Sequence, residues 1–324
     1  MSKRKPLTVL VASAGSGAGL LECIRDSARK LRLDLRLLAV DPNPGMSAAC
    51  RLADRSYAVP DGTEPGFVPA LLEVCRKQQV SLLLPTIDAG LIELSEQQDA
   101  FAAIGTDVAI SSPAVVRLAR DKLATAERLK AGGINVPHTM ALHEFVNDPN
   151  RLSWPVIAKP ISGTSSVGIL KPRRAGELQN MDDRYIVQEL WQGREFTVNV
   201  YFDRRGRMRC AIPHWRIEVR NGAVANGRTE RIPILAAAAE KLGAVLAGAR
   251  GPVCFQAIVA DADNAAVFEV NARIGSGYPL AHRAGAEFTR WLLEEAAGRR
   301  CTASDRWSEG ATMLRYDAAV FCKT

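Results

Sequence analysis

Over residues 7–111 short apolar runs alternate with amphipathic stretches: Leu7 to Ala12, Leu20 to Leu31, Leu35 to Val40, Phe67 to Gln79, Val80 to Pro85, Leu91 to Ala103 and Val108 to Ser111. Strand and helix take turns in such a pattern. Alternating βα units predict a parallel, doubly wound sheet with ligand sites at the C-terminal ends of its strands. Pro113 opens a further helical stretch, Asp121 is placed to cap the next, and Gly132-Gly133 stops it. From Trp154 the pattern changes to hairpins: Val156 to Lys159, Gly168 to Lys171, Tyr185 to Glu189 and Glu195 to Phe202, with turns at Arg204 to Gly206 and Asn221-Gly222. A helix from Pro233 to about Gly248 precedes a last pair of strands, Val253 to Val259 and Ala266 to Arg273. An α/β front half is therefore followed by an α+β back half, without internal repeats.

A chain of 324 residues with 47% hydrophobic and 24% charged residues buries a full core, which excludes a disordered or fibrous protein. The net charge of +7 invites anionic partners. The basic clusters are short (Lys3 to Lys5, Arg173-Arg174, Arg204 to Arg209, Arg299-Arg300) and form no stripe, so small anions are expected rather than nucleic acid, with plain surface arginine as the alternative. Seven widely spaced cysteines without a CxxC read as reduced thiols. The run Leu7 to Val11 is shorter than a secretory core, and Glu240 and Lys241 interrupt the one membrane-like stretch, Ile234 to Ala249. A cytoplasmic protein with no membrane partner is expected.

Four segments carry candidate chemistry. Gly15-Ser16-Gly17-Ala18-Gly19 follows the first strand, with Asp41 closing the second. It falls short of a dinucleotide fingerprint because Leu20 stands where the third glycine belongs; a tight strand-to-helix turn and an NAD-type site both remain open. Lys159 ends a strand and leads into the small-residue loop Pro160 to Gly168, whose backbone can approach phosphate oxygens closely; the bland reading is a flexible turn. In Ala266 to Arg273, alternation sends Phe268 and Val270 to the core and points Glu269, Asn271 and Arg273 together to the other side. Gln256 on the preceding strand is placed to meet Glu269 and Asn271, an oxygen-rich set that suits Mg²⁺; an incidental polar strand face is the alternative. Gln188 to Trp191 leave a strand whose edge suits a purine, and Glu195 suits a ribose diol, although the segment alone is an ordinary strand and turn.

In chain order these segments resemble the ATP-grasp superfamily, most closely carboxylate-amine ligases related to the large chain of carbamoyl-phosphate synthetase. The landmarks are Asp121-Lys122, Lys159-Pro160 with Thr164 to Gly168, Gln188-Glu189 with Glu195, Gln256, and Glu269-x-Asn271-x-Arg273. The loop and Arg194 to Val198 also look like D-alanine:D-alanine ligase, and the resemblance covers roughly residues 8–298. It implies a pre-ATP-grasp doubly wound domain over 1–113, a small lid subdomain over 114–188 and a C-terminal subdomain over 189–324. It further implies that Lys122 and Lys159 contact ATP phosphates under a loop containing Ser165, Ser166 and Gly168. Gln188 and the backbone of Glu189, Leu190 and Trp191 would hold adenine, and Glu195 the ribose. Gln256, Glu269 and Asn271 would hold Mg²⁺ or its substitute Mn²⁺. Arg273, Lys159 and Arg216 would be catalytic, and Arg216 with Gly275, Ser276 and Gly277 would meet the substrates.

This sequence departs from relatives that often carry Glu at Gln188, Asp at Asn199, Arg at His214 and three glycines at Gly275-Ser276-Gly277. His214 reads either as a contact to phosphate or substrate beside Arg216, or as an exposed strand histidine. The implied reaction is activation of a small carboxylate, on an amino acid or related acid, as an acyl phosphate, followed by attack of an amine. The acceptor and carboxylate pockets would draw on Arg216, Glu218, Arg220 and Gly275 to Tyr278, with Asp88 a further candidate; several positive side chains suggest an acidic substrate, and relatives often dimerise through the α/β domain. The alternatives are an ATP-binding regulatory protein without turnover and an NAD-dependent oxidoreductase.

Overall fold

The computed structural model describes residues 6–15, 17–163 and 167–322. Five strands, β1 (Leu7–Ala12), β2 (Leu35–Asp41), β3 (Arg55–Ala58), β4 (Leu82–Pro85) and β5 (Asp107–Val108), form a parallel sheet in the order β3-β2-β1-β4-β5. From Thr8 onward β1 is buried at every position, as a strand covered on both faces by helices must be. The chain reverses its direction of travel across the sheet between β1 and β4, and the ends of these two strands open the crevice where such folds take ligands. Thr86 stitches them together by donating to the carbonyls of Ala12 and Ser13 at 2.9 and 2.8 Å.

The stretch expected as one helix from Leu91 to Ala103 is two, Leu91–Glu96 and Gln98–Ala103, and the strand expected over Val108 to Ser111 is instead Asp107–Val108. Asp121 caps the helix Lys122–Ala131, accepting from the N–H groups of Leu123 and Ala124 at 3.0 and 2.9 Å. The cap fixes the start of the helix and with it the origin of the Lys122 side chain.

Strands β6 (Thr139–Ala141), β7 (Val156–Pro160) and β8 (Tyr185–Glu189) make a small antiparallel sheet in the order β6-β8-β7. It has a core of its own, built from Met140, Leu142, Phe145, Leu152, Val156, Ala158, Leu178 and Val187. Gly168 to Lys171, expected as a strand, contributes one bridge, Leu170 against Ala158.

The third sheet is antiparallel: β9 (Arg194–Phe202), β10 (Met208–Arg220), β11 (Ala223–Thr229), β12 (Gly251–Val259), β13 (Ala265–Asn271) and β14 (Thr312–Leu314), in the order β13-β12-β9-β10-β11-β14. Along β9 the residues Phe196, Val198, Val200 and Phe202 enter one core shared with the parallel sheet, while Tyr201 joins a second. Glu195, Thr197 and Asn199 share the face of Tyr201, because side chains alternate along a strand. That polar stretch is the floor of the cleft described next. Among the described residues no helix is long and apolar enough to cross a membrane.

Replacing Asp121 with Ala is expected to destabilise the fold by about 1 kcal/mol, and Asp121→Ser to retain most of the cap, as read by denaturant unfolding. Equal stability of the two variants would contradict the capping role.

Candidate active site

Sheet register assembles two polar rows. Gln256 on β12 lies opposite Glu269 on β13 and, on its other side, opposite Thr197 on β9, which in turn faces His214 on β10. One step along, Asn271, Cys254, Asn199 and Ile212 form the second row. The hairpin thus brings together the three oxygen donors, Gln256, Glu269 and Asn271. Asn271 turns its amide N–H toward Glu269 Oε1 at 3.3 Å, which leaves its own carbonyl oxygen free to ligate. One carboxylate and two amide oxygens are a hard donor set that fits Mg²⁺ sharing its shell with phosphate.

Two lysines reach this floor from other elements. The Lys159 ammonium is buried; it donates to Gln188 Oε1 at 2.9 Å and to the carbonyl of Phe268 at 3.2 Å, and lies 5.3 Å from the Phe268 ring centre. Gln188 is locked in turn by donating to Thr139 Oγ1 at 2.7 Å. Burial pushes Lys159 down to about 8, with Glu269 opposing the shift and Lys122 adding to it. Lys122 is lowered chiefly by burial as well, and its Nζ donates to the Gly163 carbonyl at 3.2 Å. Both ammonium groups therefore stand where an anion would favour their protonated form.

Phe268 differs from its expected place. A register shift between Gln256 and Ala257 makes Phe268 the extra residue of a β-bulge, so Val267 takes the core position and Phe268 turns ring and carbonyl to Lys159. A strict two-residue alternation cannot show a bulge, which is why sequence reasoning missed it.

Glu195, expected at the ribose, lies with its Oε1 2.7 Å from Arg216 Nε. The Nε–H is not directed at that oxygen, so the contact is ionic rather than hydrogen-bonded. Arg216 spends its terminal nitrogens on Thr197 Oγ1 and the Gly222 carbonyl, each at 3.1 Å. At the end of β8, the N–H of Glu189 goes to the His138 carbonyl and that of Leu190 to the Pro155 carbonyl. Trp191 N makes no backbone hydrogen bond among the described residues, so a purine would meet Trp191 rather than Leu190 as donor. Gly168 is placed at φ +76°, while Ser165 and Ser166 lie outside the described residues.

His214 is neither exposed nor charged: it is wholly buried, and burial, followed by the Arg216 charge, pushes it down to about 3. Its Nδ1 faces the Asn199 amide nitrogen at 3.3 Å, and its Nε2 has no partner. A Cβ at Gly277 would stand 2.6 Å from that Nε2, and one at Gly275 would stand 3.0 Å from Asn199 Oδ1. The two glycines let the backbone lie directly on the floor, covering His214, while Ser276 between them is exposed and accepts through its carbonyl from Arg315 at 3.1 Å.

Arg273 follows β13 and donates to Asp88 Oδ2 at 2.6 Å. Burial opposes its charge, but Asp88, then Cys254 and Glu269, outweigh burial and keep the guanidinium protonated above its ordinary range. The glycine cluster after β1 is used internally: the Gly15 N–H donates to Asp41 Oδ2 at 3.1 Å, and the Asn43 N–H takes the other oxygen at 3.0 Å. The carboxylate that an NAD-type site needs for ribose is thus already engaged.

One buried lysine, one half-buried lysine, an oxygen-rich strand pair and a clamped arginine thus converge between two antiparallel sheets, a set whose chemistry suits an anion. Residues 119–277 match the ATP-grasp domain, and residues 9–109 match the PylC-like N-terminal domain. The chain thus carries an ATP-grasp domain preceded by a PylC-like N-terminal domain. It is similar to the D-alanine–D-alanine ligase of Lacticaseibacillus casei, 29% identical over 175 residues that make up 50% of this chain and 46% of that one. The chain therefore spans about half the length of the curated relatives it matches. Solved structures share the fold: biotin carboxylase from Campylobacter jejuni (TM-score 0.74, 16% identity, 91% of this chain and 72% of that one). N5-carboxyaminoimidazole synthetase from Staphylococcus aureus is a second (TM-score 0.69, 14% identity, 94% and 81%).

MgATP affinity is expected to fall as pH rises through about 8, because Lys159 loses its proton there and the phosphates bind the protonated form. Calorimetry in two buffers checks this through proton uptake, and an affinity and proton count flat across that range would contradict it. Gly277→Ala is expected to cost at least ~1 kcal/mol in unfolding free energy, and His214→Ala in the same chain to recover part of the loss.

Proposed function

We propose that this chain is an ATP- and Mg²⁺-dependent carboxylate-amine ligase acting on an amino acid or a related small acid. The observation that carries the reading is the single sheet face on which Glu269, Asn271 and Gln256 converge, with Lys159 and Lys122 near enough to feel the Glu269 charge and Arg273 following on the same strand. We place the domain limits at 113/114 and 188/189.

Lys122 and Lys159 hold the phosphates of ATP, and the bound anion favours their protonated form. Gln188 and the backbone of Glu189 and Trp191 orient the purine, and Glu195 exchanges Arg216 for the ribose hydroxyls. Gln256, Glu269 and Asn271 hold Mg²⁺, and Mn²⁺ suits the same oxygens; when bound, the ion supplies positive charge to the phosphate oxygens. A carboxylate oxygen of the acid attacks the γ-phosphorus, and the bond to the bridging oxygen of ADP breaks. Arg273 faces the charge gathered on the transferred group. The amine nitrogen then attacks the acyl carbon, forming C–N as C–O breaks, and phosphate and a proton leave. Arg216 and the Gly275-Ser276-Gly277 loop border the acceptor side, and the nearby guanidinium groups favour an acidic substrate. Ser165 and Ser166 would close over the phosphates with Gly168, and His214 supports the floor from beneath the glycine loop. Seven unpaired cysteines fit a reducing, cytoplasmic setting, and a dimer through the N-terminal domain fits this class.

Mixed with MgATP and a panel of amino-acid pairs, the protein is expected to release phosphate with at least one pair. Lys159→Ala and Glu269→Gln are each expected to lower that rate by about 10²-fold or more. MgATP binding with no ADP formed from any pair would instead make the chain a nucleotide-binding regulator. No MgATP binding would defeat both readings.

A further inference from the structure

Arg273 belongs to the ATP-grasp portion of the chain, but the group that holds it does not. Its Nη2 donates to Asp88, 185 residues earlier, at 2.6 Å, and its Nη1 donates to the Ile274 carbonyl at 3.2 Å. Its Nε is buried without an acceptor among the described residues. A guanidinium carries five N–H bonds, so with two engaged, three have no acceptor among the described residues.

Asp88 is well fixed for this task. It follows β4 at the crevice of the parallel sheet, its side chain is 2% exposed, and its carbonyl accepts from Leu91 N at 3.4 Å. The segment leading to it is pinned by the two Thr86 hydrogen bonds to the end of β1. A buried carboxylate next to a site for anions is costly unless a cation occupies it, and Arg273 is that cation. An arginine side chain otherwise loses rotamer entropy when it is ordered, so a preset clamp means that the transition state does not have to supply the ordering.

We propose that Asp88 is a positioning residue, supplied by the N-terminal domain, that fixes Arg273 so that its free N–H edge meets the transferred phosphoryl group. The inference rests on the ligase reading for the identity of that anion. It gives the parallel-sheet domain a part in the chemistry beyond packing.

The test is binding of inorganic phosphate to the full chain saturated with MgADP, read by calorimetry. Asp88→Asn is expected to weaken phosphate about tenfold and to leave MgADP affinity within about twofold, since the nucleotide is held by other residues. Arg273→Ala is expected to weaken phosphate further, and the double variant to be no weaker than Arg273→Ala alone, because Asp88 acts only through Arg273. In turnover, Asp88→Asn is expected to lower kcat with the KM for ATP unchanged. Unchanged phosphate affinity in Asp88→Asn, additive losses in the double variant, or a wild-type protein that binds MgADP but no phosphate would each overturn the proposal. Should Asp88→Asn fail to fold, Asp88→Glu keeps the charge but displaces it by a methylene, and wild-type phosphate affinity in that variant is the overturning result. Phosphate binding as described in a protein that turns over no acid–amine pair would fail the ligase reading and leave the clamp standing.

Discussion

The buried ammonium of Lys159 ties the two walls of the cleft together. It rises from β7 in the small sheet, is held there by Gln188 on β8, and donates across the gap to the Phe268 carbonyl on β13. Burying a lone ammonium is expensive, and here two oxygen acceptors, an aromatic face and the Glu269 charge offset only part of that cost, as its depressed proton affinity shows. The remainder is what a phosphate can restore. The lysine thus joins the small sheet to the six-stranded sheet at the point where its charge is least well compensated.

The hydrophobic cores divide along the same line. The parallel sheet and the six-stranded sheet share two clusters: Leu10, Leu38 and Leu83 pack with Val198, Val200 and Phe255, and Val9, Leu37 and Leu82 belong with Tyr201, Phe288 and Trp291. The small sheet keeps its eight-residue core to itself. Shared apolar surface holds two bodies in one geometry, whereas a lobe with a separate core can rotate without exposing apolar area. Asp88 and Arg273 lie across the junction that shares its apolar cores, and Lys159 lies across the one that does not.

Period-2 and period-3.6 patterning carried most of the architecture in the sequence, because the strands of the parallel sheet are buried on both faces and the long strands of the back half alternate cleanly. The polar face was legible for the same reason: Glu195, Thr197 and Asn199 on β9 and Glu269 and Asn271 on β13 fall on alternate positions. Features set by departures from regularity were not legible. Phe268 was assigned to the core because nothing in Ala266 to Arg273 announces a bulge. Burial of His214 depends on a glycine loop 60 residues away in sequence lying on top of it. The role of Asp88 requires knowing which strand end meets which, a tertiary fact with no local signature.

Folded proteins leave few buried polar atoms without partners, and each costs about 1–3 kcal/mol. Among the described residues, buried side-chain atoms without a hydrogen-bond partner are Tyr57 OH, Tyr201 OH, His214 Nε2, Arg216 Nε and Arg273 Nε. The three nitrogens all belong to the cleft region. Arg216 and His214 sit two residues apart on the same face of β10, and Arg273 ends the neighbouring run of oxygen donors. Such a concentration is not expected of packing errors, which would scatter through the cores. For the two guanidinium groups it is expected where stability has been given up so that N–H groups stand ready for an anionic ligand, whereas His214 Nε2 is uncharged and lies beneath Gly277. On that view the positive charge of the chain is functional at a few buried nitrogens, and the surface arginines contribute little beyond the general field that draws anions near.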